Sequence, residues 1–191
     1  MAVLALLLER SMHPYRMQRL IKDRGKDLVI NVGQRSQLYK TIDRLVGEGL
    51  IAVVEVERDA ARPERTNYAI TETGRQVVTE WTAEMLAAPR RDFPEFAAGL
   101  AYLLVLSRDS AVAALERRLA AVRGELAELE RQTELVSGQL PRITLVESEY
   151  LIVHLRVDQS WIEALLDDLR TGRLDWNVEE LIELARTFEP E

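Results

Sequence analysis

The sequence predicts a mostly α-helical protein in two parts: a small N-terminal domain of short helices with one pair of strands, then a domain of long helices. Three observations predict it. Short amphipathic segments punctuated by Gly and Pro fill residues 1–88. Two stretches with strand character, AVVEVE at 52–57 and RTNYAIT at 65–71, interrupt the helical pattern once. Beyond residue 94 strand patterns disappear, and apolar residues recur at helical spacing over tens of residues. The segment PRRDFP, Pro89 to Pro94, is the expected boundary, which gives domains 1–88 and 89–191.

The elements follow in order. Residues 2–8 are nearly all apolar and read as a short buried helix. Residues 11–13 form a turn, and Pro14 suits the first position of a second helix running to Arg24. That helix turns Met17, Leu20 and Ile21 inward and Arg16, Arg19 and Lys22 outward. Gly25 is its expected C-cap. Asn31 and Gln34 have capping-box spacing, so Asn31 is the expected N-cap of a third helix. Leu38, Ile42 and Leu45 lie on its inner face, at i, i+4 and i+7. Arg35, Ser36, Tyr39, Lys40 and Asp43 lie on the other. Gly49 is the expected left-handed residue that ends it.

The two strands follow, joined by an Arg-bearing polar loop at 58–64. Two strands joined by such a loop directly after a helix pair make a two-stranded wing. Thr71 or Thr73 then caps a fourth helix that runs to about Ala87.

In the second domain, residues 95–106 read as a mostly apolar helix buried on several sides. Asp109 or Ser110 caps the next helix. It carries Val112, Leu115, Leu119, Val122, Leu126, Leu129, Thr133, Val136 and Leu140, alternating steps of three and four, a heptad seam. After Pro141 a last long helix, 143 to about 170, has a broad apolar face that includes Val146, Tyr150, Val153, Val157, Trp161 and Leu165. Gly172 stops it, and a short helix at 178–188 closes the chain. A seam helix beside a helix with more apolar surface than one neighbour covers points to a homodimer. Its expected contacts are Leu115, Leu119, Val122, Leu126, Leu129, Val153, Val157 and Trp161.

Charge and composition narrow the function. Net charge is −7, yet residues 10–44 hold nine Lys and Arg against three Asp and Glu. Positive charge is therefore concentrated around the third helix, where a polyanion would be met. There is no cysteine, which excludes disulfides, thiolate metal sites and cysteine nucleophiles. The only histidines, His13 and His154, are far apart. No Gly-rich phosphate loop is present. No catalytic residue, metal or cofactor is expected, and the chain is not read as an enzyme. The opening AVLALLLE is short and lacks the leading positive charge of a signal peptide, and no apolar run is long enough to span a bilayer. The chain is therefore read as cytoplasmic.

The order helix, helix, LYKTIDRLVGEGLI, wing, YAITETGR, then long helices resembles the PadR family of bacterial transcriptional regulators. Leu38-Tyr39, Arg44-Leu45, Gly49-Leu50-Ile51, Tyr68, Thr71 with Gly74-Arg75, and His13-Pro14-Tyr15 carry the resemblance, and WIEALLDDLRTGRLDW is similar to the family's C-terminal region. The resemblance implies a winged helix-turn-helix that binds DNA as a dimer built from the C-terminal helices, usually a repressor, often relieved by a small aromatic or cationic compound. Two positions depart from the family pattern. Gln37 stands where a small hydroxyl residue is frequent, and Arg35-Ser36 where Gly or Pro is frequent. Both fall where base contacts would lie.

The expected partner is duplex DNA carrying a palindromic operator. Arg35, Gln37 and Lys40 are the candidate base contacts, because Arg and Lys suit guanine and Gln suits adenine. Ser36 and Tyr39 suit phosphate, as do Tyr15, Arg16 and Arg19 on the flanking backbone. Gln34 and Arg44 flank this set on the same helix. Arg58, Arg62 and Arg65 would let the wing touch phosphate or the minor groove. Trp81, Phe93, Phe96, Tyr102, Tyr150 and Trp161 are the aromatic candidates for an effector pocket. The alternative is a winged-helix protein–protein adaptor that does not bind DNA.

Overall fold

The computed structural model describes residues 1–26, 29–30, 35–59, 62–89 and 91–187, with the side chains of all of these except 35, 56–59, 62–65 and 185. The chain divides into two compact units, Met1–Arg91 and Asp92–Glu191.

In the first unit, α1 (Ala2–Leu7) is buried through Val3, Leu4, Leu6 and Leu7. Helix α2 (Pro14–Asp23) starts on Pro14, and His13 caps it: its Nδ1 accepts from the Arg16 N–H at 3.2 Å. Met17 and Ile21 are buried and Leu20 is partly so, the face that the sequence predicts. Helix α3 (Arg35–Gly47) buries Leu38, Ile42 and Leu45, again as predicted. The expected cap, Asn31, and its partner Gln34 lie outside the described residues.

The end of α3 is defined by hydrogen bonds. Gly49 has φ +69°. Its N–H donates to Val46 O at 3.0 Å, and the Leu50 N–H reaches back to Leu45 O at 2.9 Å. These are the two bonds of a Schellman stop, and Leu45 and Leu50, both buried, make its apolar contact. The chain leaves directly into the wing.

The wing pairs β1 (Ile51–Asp59) with β2 (Arg62–Ile70) antiparallel, from Ile51 opposite Ile70 to Asp59 opposite Arg62. The strands run further than the 58–64 loop predicted from sequence, because pairing resumes after register shifts beyond Val53 and Glu57. Met12 adds a third rung: its N–H donates to Tyr68 O at 3.1 Å and its carbonyl accepts from the Tyr68 N–H at 3.1 Å. One residue gives no periodicity, so this rung is invisible in the sequence.

Helix α4 (Glu72–Ala87) is capped by Thr71, whose Oγ1 accepts from the Gly74 N–H. One core joins α1, α2, α3, the root of the wing and Val78 of α4, with Val77 and Trp81 packed at its margin.

The second unit is organised by two helices, α6 (Arg108–Ser137) and α7 (Val146–Thr171), packed along each other. Leu115, Leu119 and Val122 pack with Ile162, Leu166 and Leu169. Leu126 and Leu129 pack with Ile152. Ion pairs stitch the two helices on their flanks: Arg123–Glu163 at 2.8 Å, Arg156–Glu130 at 2.6 Å and Arg170–Glu116 at 2.5 Å.

Several expectations are corrected here. Helix α6 is capped by Ser107, whose Oγ accepts from the Ser110 N–H, so Asp109 and Ser110 fall inside its first turn. The apolar segment 95–106 is not one buried helix. It is α5 (Glu95–Ala101) followed by a 3-10 turn (Leu103–Val105), with no buried residue in either. Helix α7 begins at Val146 after a 3-10 turn at Arg142–Thr144. The closing helix, α8, is Val178–Arg186, and Phe188 lies outside the described residues.

Among the described residues, no helix is long and apolar enough to cross a membrane. Among the same residues, no three His, Cys, Asp or Glu side chains are grouped to hold a metal.

Candidate nucleic-acid interface

The buried face of α3 dictates its exposed one. With Leu38, Ile42 and Leu45 fixed in the core, the helical rotation of about 100° per residue turns Ser36, Tyr39, Lys40 and Asp43 outward on one ridge. All four are exposed, Tyr39 at 48%. Gln37 and Arg44 are exposed on the ridge's flank.

The outer side of α2 borders an open groove of about 490 Å³, lined by His13, Tyr15, Arg16, Arg19, Leu20 and Asp23. The rings of His13 and Tyr15 stack at 6.2 Å. Arg19 is held by Asp23 at 3.2 Å, and Arg44 lies 3.7 Å from Glu48. The side chains of Arg16 and Lys40 have no ion-pair or hydrogen-bond partner among the described residues, so their charge stays available to an outside anion. In the second unit nearly every described arginine is engaged by a carboxylate of its own chain, as Arg118, Arg123, Arg131, Arg142, Arg156 and Arg170 illustrate.

Of the other predicted contacts, Gln34 lies outside the described residues, as do the side chains of Arg35, Arg58, Arg62 and Arg65. The structure places the backbone of Arg35 in the first turn of α3 and that of Arg58, Arg62 and Arg65 in the wing strands.

Two residues were not among the candidate contacts. Asp43 shares the ridge, and Tyr68 of β2 lies close enough for charge to be felt. Burial, then the Asp43 charge and Tyr39, push the Tyr68 phenol above its ordinary pKa. The spacing from Ser36 to Asp43, seven residues, was the signal in the sequence.

The aromatic candidates are divided between the two units. Trp81 packs at the margin of the first unit's core. In the second unit Phe93 and Tyr102 are largely exposed. Tyr150 lies against His154 at 4.2 Å between ring centres, and 11 residues separate it from Trp161 on α7. Only Phe96 and Trp161 meet, edge to face at 6.1 Å, with the Arg118 guanidinium 3.6 Å over the Phe96 ring.

The dimerisation candidates separate into two groups. Leu115, Leu119, Val122, Leu126 and Leu129 are buried against α7 of the same chain, so the seam is used internally. Val153, Val157 and Trp161 are 56%, 61% and 47% exposed and form one stripe with Val146 and Tyr150. The stripe lies roughly opposite the buried Ile152, Ile162, Leu166 and Leu169. Helix α7 is therefore apolar on two faces, of which α6 covers one.

Residues 3–80 match the sequence model described as the transcriptional regulator PadR-like family. The fold is similar to that of Bacillus subtilis PadR in complex with operator DNA, with a TM-score of 0.71 at 20% identity, covering 88% of this chain and 97% of that one. The same protein in complex with p-coumaric acid gives a TM-score of 0.73 at 20% identity, over 88% and 96%. The virulence activator AphA of Vibrio cholerae gives 0.60 at 21% identity, over 95% and 96%. No curated protein matches the sequence.

Proposed function

We propose, from the match of residues 3–80 to the PadR-like transcriptional regulator family, that the chain is a member of that family and acts in the bacterial cytoplasm as a homodimeric repressor. It binds a palindromic operator in duplex DNA and is released by a small aromatic or cationic effector. The family is one of DNA-binding regulators and not of enzymes. The observation that carries the reading is the α3 ridge: Ser36, Tyr39 and Lys40 stand exposed over a fully buried back, with Gln37 beside them.

In this reading residues 1–88 hold the DNA. Arg35, Gln37 and Lys40 reach base edges, while Ser36 and Tyr39, with Tyr15, Arg16 and Arg19 beside the α2 groove, bond phosphate oxygens. Gln34, Arg44, Arg58, Arg62 and Arg65 extend the contact along the helix and the wing. Residues 89–191 pair two chains, which sets two reading helices about one duplex turn apart. The exposed stripe of α7 supports that pairing. Val146, Tyr150, Val153, Val157 and Trp161 run over about 22 Å of helix, and a second copy would take them out of water.

The effector reading is favoured by the contact of Phe96, Trp161 and Arg118, which offers ring faces beside a cation. The p-coumaric acid complex of the similar protein supports it by analogy. An effector acts only if it prefers one spacing of the two reading helices over another.

Selection of bound fragments from random duplex DNA tests the central reading. Enrichment of a two-fold symmetric motif is the expected result. A folded dimer that retains no duplex at low salt would instead favour the protein–protein adaptor. Transcription in vitro from an enriched site checks for repression. Tryptophan emission and operator affinity, followed together across a panel of small aromatic acids and cations, check the effector.

A further inference from the structure

Asp43 stands where a DNA-binding surface has least use for it. The outward ridge of α3 presents Ser36, Tyr39, Lys40 and Asp43 at i, i+3, i+4 and i+7. A reading helix lying in the major groove presents its base contacts at that spacing. The first three are neutral or cationic. The fourth is an exposed carboxylate in the most basic part of the chain, and no described cation neutralises it. Its neighbour Arg44 faces Glu48 instead, at 3.7 Å.

We infer that Asp43 is a specificity-determining residue, which accepts a hydrogen bond from the N4 amino group of a cytosine in each half-site. This rests on the DNA-binding reading proposed above. The reason is electrostatic. A carboxylate brought among phosphates is repelled, and in the groove it loses water. Guanine and thymine offer it only acceptors, O6 and N7 or O4. Adenine offers an amino group, with the N7 acceptor beside it. Cytosine offers an amino donor with no acceptor at its major-groove edge. Cytosine alone returns to the carboxylate a donor with no acceptor set against it; adenine places N7 beside its amino group, and guanine and thymine leave the carboxylate dry and unpaired.

The surroundings agree. The Tyr68 phenol of β2 senses the Asp43 charge: burial first, then Asp43 and Tyr39, hold it above its ordinary pKa. A Tyr68 phenol kept protonated is a donor suited to a phosphate oxygen.

The test is selection from random duplex with the wild-type chain, Asp43→Asn and Asp43→Ala, each matched by melting temperature. The wild type is expected to prefer cytosine at one position per half-site by roughly five- to a hundredfold. Asp43→Ala should flatten that position alone. Asp43→Asn should move it toward adenine, because an amide can both donate and accept. Both variants should bind unspecific duplex more tightly than the wild type, since the repulsion is gone. If the wild type selects a motif that both variants share at every position, Asp43 does not read a base and this inference falls alone. If the wild type retains no duplex at all, the DNA-binding reading falls with it.

Discussion

The hydroxyl of Thr71 lies 2.8 Å from the carbonyl oxygen of Gly49 and ties the start of α4 to the end of α3. Thr71 Oγ1 also lies 3.0 Å from Leu50 O, and the Thr71 N–H donates to Leu50 O at 3.0 Å. Thr71 Oγ1 accepts from the Gly74 N–H at 3.0 Å. One side chain thus caps α4 and fastens it to the stop that aims α3. Thr71→Ala should cost about 1 kcal/mol, and Thr71→Ser should restore most of it. Denaturant titration of the three proteins checks both.

Gly74 makes this closeness possible. A Cβ there would meet Leu50 O at 2.1 Å and Ile70 Cγ1 at 2.8 Å. The oxygen belongs to backbone that Thr71 also holds, so it cannot step aside cheaply. Gly74→Ala should therefore destabilise the first unit by about 1–3 kcal/mol, read as a fall in the midpoint of urea unfolding. Among helical positions an alanine normally helps, so a gain in stability would show that the approach is looser than described.

Core and ridge of α3 should separate cleanly in experiment. Ile42 is fully buried, and Ile42→Ala should cost about 2–5 kcal/mol. Lys40→Ala should leave the melting temperature nearly unchanged. Its effect should appear in DNA binding, as lower affinity and a salt slope smaller by about 1 if the contact is to phosphate. Calorimetry and a salt titration on the same preparations distinguish the two.

The two faces of α7 should also behave differently. Ile162 is fully buried against α6, and Ile162→Ala should unfold the second unit at lower denaturant. Val157→Glu on the exposed stripe should leave the α6–α7 pair intact and give monomers in sedimentation velocity, because a charge in an apolar contact has no partner. A Val157→Glu dimer as tight as the wild type would move the contact elsewhere.

Acid should loosen the α6–α7 pair. The Arg123 guanidinium, then Gln159, hold the Glu163 carboxyl below its ordinary pKa. Arg142 does the same for Glu149. A carboxylate with a lowered folded pKa stabilises fully above its ordinary value. That contribution is lost as pH falls through the lowered one. The loss should therefore lie below about pH 4, and Glu163→Gln should flatten it. Both carboxylates are solvent-facing, so the slope is expected to be shallow and to shrink in high salt. Unfolding midpoints from pH 7 to pH 3, with and without salt, check this.

Much of the first unit is written locally. Pro14, Gly49 and Thr71 mark helix ends through their own backbone chemistry, and Leu38, Ile42 and Leu45 mark a face by spacing alone. The ridge could be read in advance for that reason. The Met12–Tyr68 rung and the nearness of Asp43 to Tyr68 could not, because they join residues far apart in the chain and leave no period. Ser107, Asp109 and Ser110 are all good caps by residue type, and only the path of the backbone selects Ser107 among them.

The second unit marks the limit most plainly. The sequence by itself determined that α6 carries a seam and that α7 is apolar over a wide arc. Only the tertiary structure decided that the seam is covered by α7 of the same chain, and that Val153, Val157 and Trp161 are what is left uncovered. The reason is physical: periodicity fixes which side of a helix avoids water, whereas burial is indifferent to which neighbour supplies the cover.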